Sequence, residues 1–392
     1  MNDSIKGARV FLVAGERSGD THGAALIRDL SRMVEGVSFR GLGGPEMAAA
    51  PGSEVEDWVE EAGVLGLWEV LKKYGWFRRR MAETVAIVRE WRPDVVVLID
   101  YPGFNLRLAR RLQSLRPATR VVQYISPQVW AWNRRRIPEM ARLLDRMLCI
   151  FPFEKELYES SGLATDFVGH PLGDALAEFV GGGALAREEH LTGLFPGSRM
   201  REIEKHLDDM LAAVALAKDG EPDGRWMVSA ASEKLAGPVR ERVAAAGLKG
   251  VVAVEVGRSR EWMARCGRGM VASGTATLEA AMLGMPHCLV YRVARPTYWL
   301  GRMLVRVPHL GIANILAGRE VVPEFIQDKL TPEALADWLR TMRDGEAREA
   351  QRAALDQAVA GLRQPGAHRR VAQAVAEVIR ECGETADPFG PL

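Results

Sequence analysis

Short apolar runs, each ending in a small-residue turn and followed by a helix-patterned stretch, recur along this chain from residue 9 to residue 291. No other feature limits the architecture as much. Strands separated by helices pair through crossovers rather than hairpins, and crossovers build parallel sheets covered by helices on both faces. The runs fit that burial. Residues 9–14 (RVFLVA), 94–99 (DVVVLI), 121–125, 147–151, 191–195, 225–230, 251–256, 269–272 and 287–291 are mostly apolar, as strands buried on both faces must be.

The expected class is therefore α/β. A length of 392 residues exceeds what one core usually serves, so two Rossmann-like parallel-sheet domains facing a cleft are expected. Gly181, Gly182 and Gly183 break the pattern. They place a hinge at 173–190, between a first domain at 1–172 and a second at 191–345. A formal net charge of +1 supplies no global field for nucleic acid, which is not expected as a partner. The four cysteines (Cys149, Cys266, Cys288, Cys382) include no CxxC pair, so a reducing compartment and no structural metal are expected. No leader-like or membrane-spanning apolar stretch is legible, and the expected location is cytoplasmic.

Open α/β sheets bind ligands at the carboxyl ends of their strands, and polar residues collect there in this chain. In the first domain, residues 15–20 (GERSGD) follow the first strand. Asp20 fits a helix N-cap, whereas Glu16 has no such structural task and is a candidate functional acid. Asp100 closes strand 94–99 and opens the run DYPGFN. Asn105 is positioned to cap the following helix, which leaves Asp100 free as a general base or substrate contact. Residues 64–81 have helical apolar spacing, including Trp68, followed by Trp76, Phe77, Arg78, Arg79 and Arg80. That stretch fits an ordinary amphipathic helix with solvated arginines, or an aromatic-basic surface for acyl chains and anionic lipid.

In the second domain, Pro196-Gly197-Ser198-Arg199 follows strand 191–195 and precedes a helix. An arginine fork at a helix start matches a diphosphate. Ser273 to Glu279 (SGTATLE) repeats the arrangement after strand 269–272. Its free N–H groups and dipole suit a phosphate, and Gly274 allows close backbone approach. Ser273 or Thr275 can cap that helix, and Glu279 can accept ribose hydroxyls. Acids on one side and a cation with a helix start on the other suit a nucleotide-linked donor meeting a nucleophile. No HExxH, GxSxG or Cys/His cluster is present.

Taken together, GERSGD, GLGGPEM, DYPGFN, YISPQVWAW, PFE, FVGHPL, PGSR, SGTATLE and NILAG…VPEFIQ resemble the lipid-A-disaccharide synthase family, in that family's order and from Gly15 to Gln327. The resemblance implies the GT-B glycosyltransferase fold, with helices at 346–392 returning to the first domain. It implies transfer of 2,3-diacylglucosamine from UDP-2,3-diacylglucosamine to the 6′-hydroxyl of 2,3-diacylglucosamine 1-phosphate, without metal or organic cofactor. Work at the cytoplasmic face of the inner membrane, and a homodimer, are further implications. Residue by residue, Asp100 matches the base and Glu16 a second acid. Ser198, Arg199, Ser273, Gly274, Thr275, Thr277, Glu279 and Asn314 match the donor side. Asn105, Trp68, Trp76 and Arg78 to Arg80 fall to the acceptor or membrane. Arg17, Tyr101 and Gly103 depart from the family pattern without removing a proposed catalytic group.

Two other classes share parts of this pattern. A UDP-sugar 2-epimerase has the same two-domain fold and needs no lipid acceptor. A nucleotide-binding peripheral membrane protein needs no catalytic acids.

Overall fold

The computed structural model describes residues 7–63, 73–183 and 185–386. The chain divides into two compact units, one made of residues 1–174 with 364–392 and the other of residues 175–363. The strands are β1 Arg9–Ala14, β2 Ser38–Gly43, β3 Ser53–Asp57, β4 Val95–Ile99, β5 Arg120–Tyr124, β6 Arg146–Cys149, β7 Thr165–Phe167, β8 Glu188–Phe195, β9 Arg225–Ala230, β10 Val252–Val256, β11 Cys266–Ala272, β12 His287–Tyr291 and β13 Glu324–Ile326. The helices that bear on function are α1 Arg17–Met33, α2 Pro45–Ala48, α3 Tyr74–Trp91, α4 Pro102–Leu112, α5 Met200–Ala217, α6 Thr275–Met282, α7 Arg295–Leu304, α8 Ile312–Ala317 and α9 Ala367–Ala386.

Among the described residues, the first unit holds a parallel sheet in the order β3-β2-β1-β4-β5-β6-β7. Alternation within its central strands feeds two separate cores. Val10, Leu12 and Ala14 of β1, with Val95, Val97 and Ile99 of β4, point to one face. Phe11, Val13, Val96 and Leu98 point to the other. The first face is covered by α1 through Ala24, Ile27 and Leu30, and by α9 through Val371, Val375, Val378 and Ile379. The second is covered by α3 and α4. Each buried aliphatic of α9 contributes about 1.5–3 kcal/mol of burial, so this last helix is structural for the first unit. Residues 346–363, grouped at the sequence level with the returning helices, belong to the second unit.

A polar string binds α9 in place. Asp174 accepts the N–H groups of Gly366, Ala367 (3.2 Å) and His368 (3.0 Å), the orphan donors of the α9 start. His368 Nδ1 also lies 2.9 Å from Asp174, and its Nε2 lies 3.1 Å from His22 Nδ1 on α1. Burial, and then the neighbouring His368, lower the His22 pKa to about 4.

The second unit holds a parallel sheet in the order β10-β9-β8-β11-β12-β13. Strand β13 falls in a stretch read from sequence as irregular. It is short and half-buried, and among the described residues it pairs along β12. Phe195 of β8 faces Val271 of β11, and Ala272 of β11 faces Val290 of β12. The three strands therefore end together, and their loops leave one edge of the sheet side by side.

Candidate active site

In the first unit, Ala14 pairs with Ile99, so the loops after β1 and β4 emerge as neighbours. Gly15 shows how closely they run. A Cβ there would lie 2.3 Å from Tyr101 Cδ1, so only glycine lets the Tyr101 ring cross the first loop. At its far end the ring is fixed by a 2.9 Å hydrogen bond from Tyr101 Oη to the Ala62 carbonyl. Asp100 and Tyr101 both hold left-handed backbone, with φ of 45° and 46°. For non-glycine residues such geometry costs about 1–3 kcal/mol each and persists only where the surroundings impose it.

Asn105 imposes it from below. It is fully buried, and its Nδ2 donates to the carbonyls of Ile99 (3.2 Å) and Asp100 (2.8 Å). Gln123 Nε2 donates to the same Asp100 carbonyl at 3.3 Å. Asn105 thus does not cap α4, which already begins at Pro102; it is buried and braces the strand end that carries Asp100. The Asp100 carboxyl is half-buried. Burial and the charge of Glu16 raise its pKa to about 6, against the Tyr101 N–H. Glu16 is exposed at the start of α1, with no side-chain cap bond. Asp20 does not cap α1. It is buried inside the helix and accepts the N–H groups of Gly44, Glu46 and Met47 at 2.9–3.0 Å, capping α2 instead.

Beside Tyr101, a cavity of about 360 Å³ is lined by Phe77, Met81 and Phe104 together with Arg78, Arg107 and Arg111. Nearby arginines of α3 and α4 are ion-paired: Arg80 with Glu56 and Glu83, and Arg110 with Glu139. Among the described residues, no carboxylate pairs with Arg78, Arg107 or Arg111. The sequence reading missed Arg107 and Arg111. Their signal was an i, i+4 pair of arginines on the helix that DYPGFN opens. Of the aromatic-basic stretch, Trp68 lies outside the described residues. Trp76 is half-buried and stacks on Trp58 at 5.8 Å. Trp76 and Arg80 therefore serve the fold, while Arg79 is exposed.

In the second unit, the loops after β8 and β11 line one cavity of about 320 Å³, with Gly197, Ser198, Arg199, Ser273, Gly274 and Thr275 on its wall. Gly274, with φ of 150°, takes the N-cap position of α6 and supplies no side-chain cap, so neither Ser273 nor Thr275 fills that role. The first N–H groups of α6 are left for a ligand. Glu202 orders the opposite loop by accepting Ser198 N–H at 2.8 Å, Arg199 N–H at 3.2 Å and Arg199 Nη1 at 2.8 Å. His206 ties that loop to the end of β12. Its Nδ1 lies 3.1 Å from the Pro196 carbonyl, and its Nε2 accepts Arg292 N–H at 3.0 Å. Ser229 and Ser259 also line this cavity and were missed, because neither sits in a distinctive motif.

Thr277 and Asn314 are turned inward, and Glu279 is held in an ion pair. Thr277 is buried and donates to the Gly274 carbonyl at 2.8 Å, closing the first turn of α6. Glu279 is paired with Arg260 at 2.5 Å. Asn314 is fully buried; its Oδ1 accepts Val321 and Val322 N–H, and its Nδ2 donates to the Val322 carbonyl and Glu324, all at 2.8 Å. With every donor and acceptor satisfied, Asn314 is a staple rather than a ligand contact.

The sequence model of the family described as lipid-A-disaccharide synthetase matches residues 10–378. The chain belongs to this family. It is 39% identical over 378 residues to the lipid-A-disaccharide synthase of Geobacter metallireducens, covering 95% of this chain and 97% of that one. With the Myxococcus xanthus synthase it shares 36% over 378 residues, at 95% and 97% coverage. Solved structures repeat the architecture at low identity. A UDP-GlcNAc 2-epimerase from Neisseria meningitidis bound to UDP-GlcNAc aligns with a TM-score of 0.59 at 12% identity, covering 95% and 100% of the chains. A UDP-glucosyltransferase from Polygonum tinctorium aligns with a TM-score of 0.60 at 12% identity, covering 96% and 99%. At that identity the likeness establishes the fold, GT-B, and does not choose between epimerase and transferase. Family membership makes that choice, for the synthase.

Proposed function

We propose that this member of the family is an inverting glycosyltransferase that moves 2,3-diacylglucosamine from UDP to the 6′-hydroxyl of 2,3-diacylglucosamine 1-phosphate, giving lipid A disaccharide 1-phosphate and UDP. The observation that carries the residue assignment is Asp100, held in left-handed backbone at a strand end with a pKa raised to about 6. A carboxylate with a pKa that close to working pH is deprotonated yet basic enough to take a proton from an alcohol. In this reading Asp100 accepts the 6′-hydroxyl proton as that oxygen bonds to C1 of the donor sugar. The bond from C1 to the diphosphate breaks with inversion, and its electron pair leaves with UDP. The uncapped start of α6 and the guanidinium of Arg199 stabilise the departing diphosphate. Burial, and then the charge of Glu16, keep the Asp100 pKa high. Arg78, Arg107 and Arg111 hold the acceptor's phosphate over an apolar floor that takes part of an acyl chain.

The reading includes peripheral attachment at the cytoplasmic face of the inner membrane, since both substrates are diacylated, and a homodimer. No helix among the described residues is long and apolar enough to cross a membrane.

The test is UDP release from UDP-2,3-diacylglucosamine in detergent micelles with EDTA, with and without the monosaccharide 1-phosphate. Acceptor-dependent release that survives EDTA supports the transferase, and Asp100→Ala should then lower turnover by about 10²–10⁴ with UDP binding kept. Equal release without acceptor overturns the role given to Asp100.

A further inference from the structure

Helix α7 is an element of at least eight residues with no buried side chain. Half of its residues are nonetheless large and apolar. Trp299 is 66% exposed, Leu300 58% and Met303 81%, and Leu304 and Val305 are exposed beside them. Spacing of three and four residues sets Trp299, Leu300, Met303 and Leu304 on one stripe, while Tyr298 and Gly301 form the more covered side. A contiguous apolar face of this kind marks a binding surface.

Its charge is equally one-sided. From Arg292 to Arg319 the chain has no aspartate or glutamate, but it carries Arg295, Arg302 and Arg306 around the stripe. Among the described residues these three have no ion-pair partner, whereas Arg292, nearer the sheet, is paired with Asp209. A second copy docked face to face through this stripe would bring the same arginines together, because a twofold contact repeats each patch on itself. An anionic bilayer surface removes that conflict: the apolar stripe enters the interfacial layer and the arginines reach phosphate groups. Ten residues of helix rise about 15 Å, too short to span and suited to lying in the plane.

We infer that α7 is a lipid-surface anchor of the second unit, taking anionic phospholipid headgroups and the outer part of the acyl layer. Position gives the anchor a use. Strand β12, from which α7 emerges, ends at the same sheet edge as the loops of the 320 Å³ cavity. An acylated donor then reaches that cavity while its chains stay in the membrane. The anchor stands on α7 alone; its link to an acylated donor rests on the function proposed above.

The test uses the full chain and vesicles without substrate. Sedimentation is measured with phosphatidylcholine vesicles, with and without about one-third phosphatidylglycerol. The wild type is expected to bind the anionic vesicles more tightly, and W299S/M303S to bind them at least about tenfold more weakly. R302E/R306E is expected to lose the anionic preference and its salt dependence. UDP release in micelles should stay within about twofold of wild type for both variants, which shows that they fold. Unchanged vesicle binding by the two variants overturns the inference. So does conversion of a dimer to a monomer by W299S/M303S with vesicle binding intact, which makes the face a contact between copies. Loss of micellar activity in the wild type itself would count against the proposed function and leave the anchor standing.

Discussion

Asp100 joins chemistry to strain. Two consecutive left-handed residues are sustained by the Asn105 and Gln123 amides on the Asp100 carbonyl. They set the carboxyl beside Glu16, whose charge adds to burial in raising the pKa. The acidic limb of kcat/KM should therefore fall near pH 6, and Glu16→Gln should move it to lower pH by removing a like charge. Steady-state kinetics from pH 4.5 to 8 checks both. A carboxyl with a folded pKa above its unfolded value loses stability for the protein as pH rises between the two. Asp100→Asn should accordingly raise the melting temperature at pH 8 while abolishing turnover, an outcome opposite to that of a structural residue. On the acceptor side, R107Q/R111Q should raise the KM for the phosphorylated acceptor about tenfold or more and leave the donor KM near its wild-type value.

At the scale of elements, loops are carried by buried polar staples. Asn314 makes four hydrogen bonds between α8 and the approach to β13. Asn314→Ala strands the N–H groups of Val321 and Val322 in a buried site and should cost about 2–4 kcal/mol in chemical denaturation. A direct ligand contact would instead change the donor KM with little loss of stability. The pairing of α1 with α9 through His22, His368 and Asp174 carries a pH signature. His22 has a folded pKa of about 4 against an ordinary 6.5, so its contribution is present above 6.5 and is lost as pH falls toward 4. His22→Gln should flatten the acid branch of the stability curve over that window.

For the whole molecule, the described residues up to 174 and from 364 onward form one unit. Residues 175–363 are contiguous and contain their own core, whereas residues 1–174 lack the apolar face of α9. A 175–363 fragment is expected to unfold cooperatively and bind UDP, as calorimetry and titration would show. A 1–174 fragment should expose the face that Val371, Val375 and Ile379 cover and aggregate, recovering when α9 is supplied.

Much of this was legible in residue order alone. Strands such as VVVLI and RVFLVA declare themselves because burial on both faces demands unbroken apolar runs, and the turns after them carry Glu16, Asp100, Arg199 and Ser273 to Thr275. Strand β3 (SEVED) escaped because an edge strand with one buried residue has too little apolar pattern to notice. What the sequence could not supply was direction. Asn105, Thr277 and Asn314 sit in the functional motifs, yet their side chains turn inward, because a buried strand end or loop needs its own donors and acceptors satisfied before it can present anything to a ligand. Only the packed structure separates Arg80, held by two carboxylates, from Arg107 and Arg111, which line a cavity with no carboxylate among the described residues. The linear pattern determined which strand ends carry the chemistry; long-range packing decided which side chains there are free to perform it.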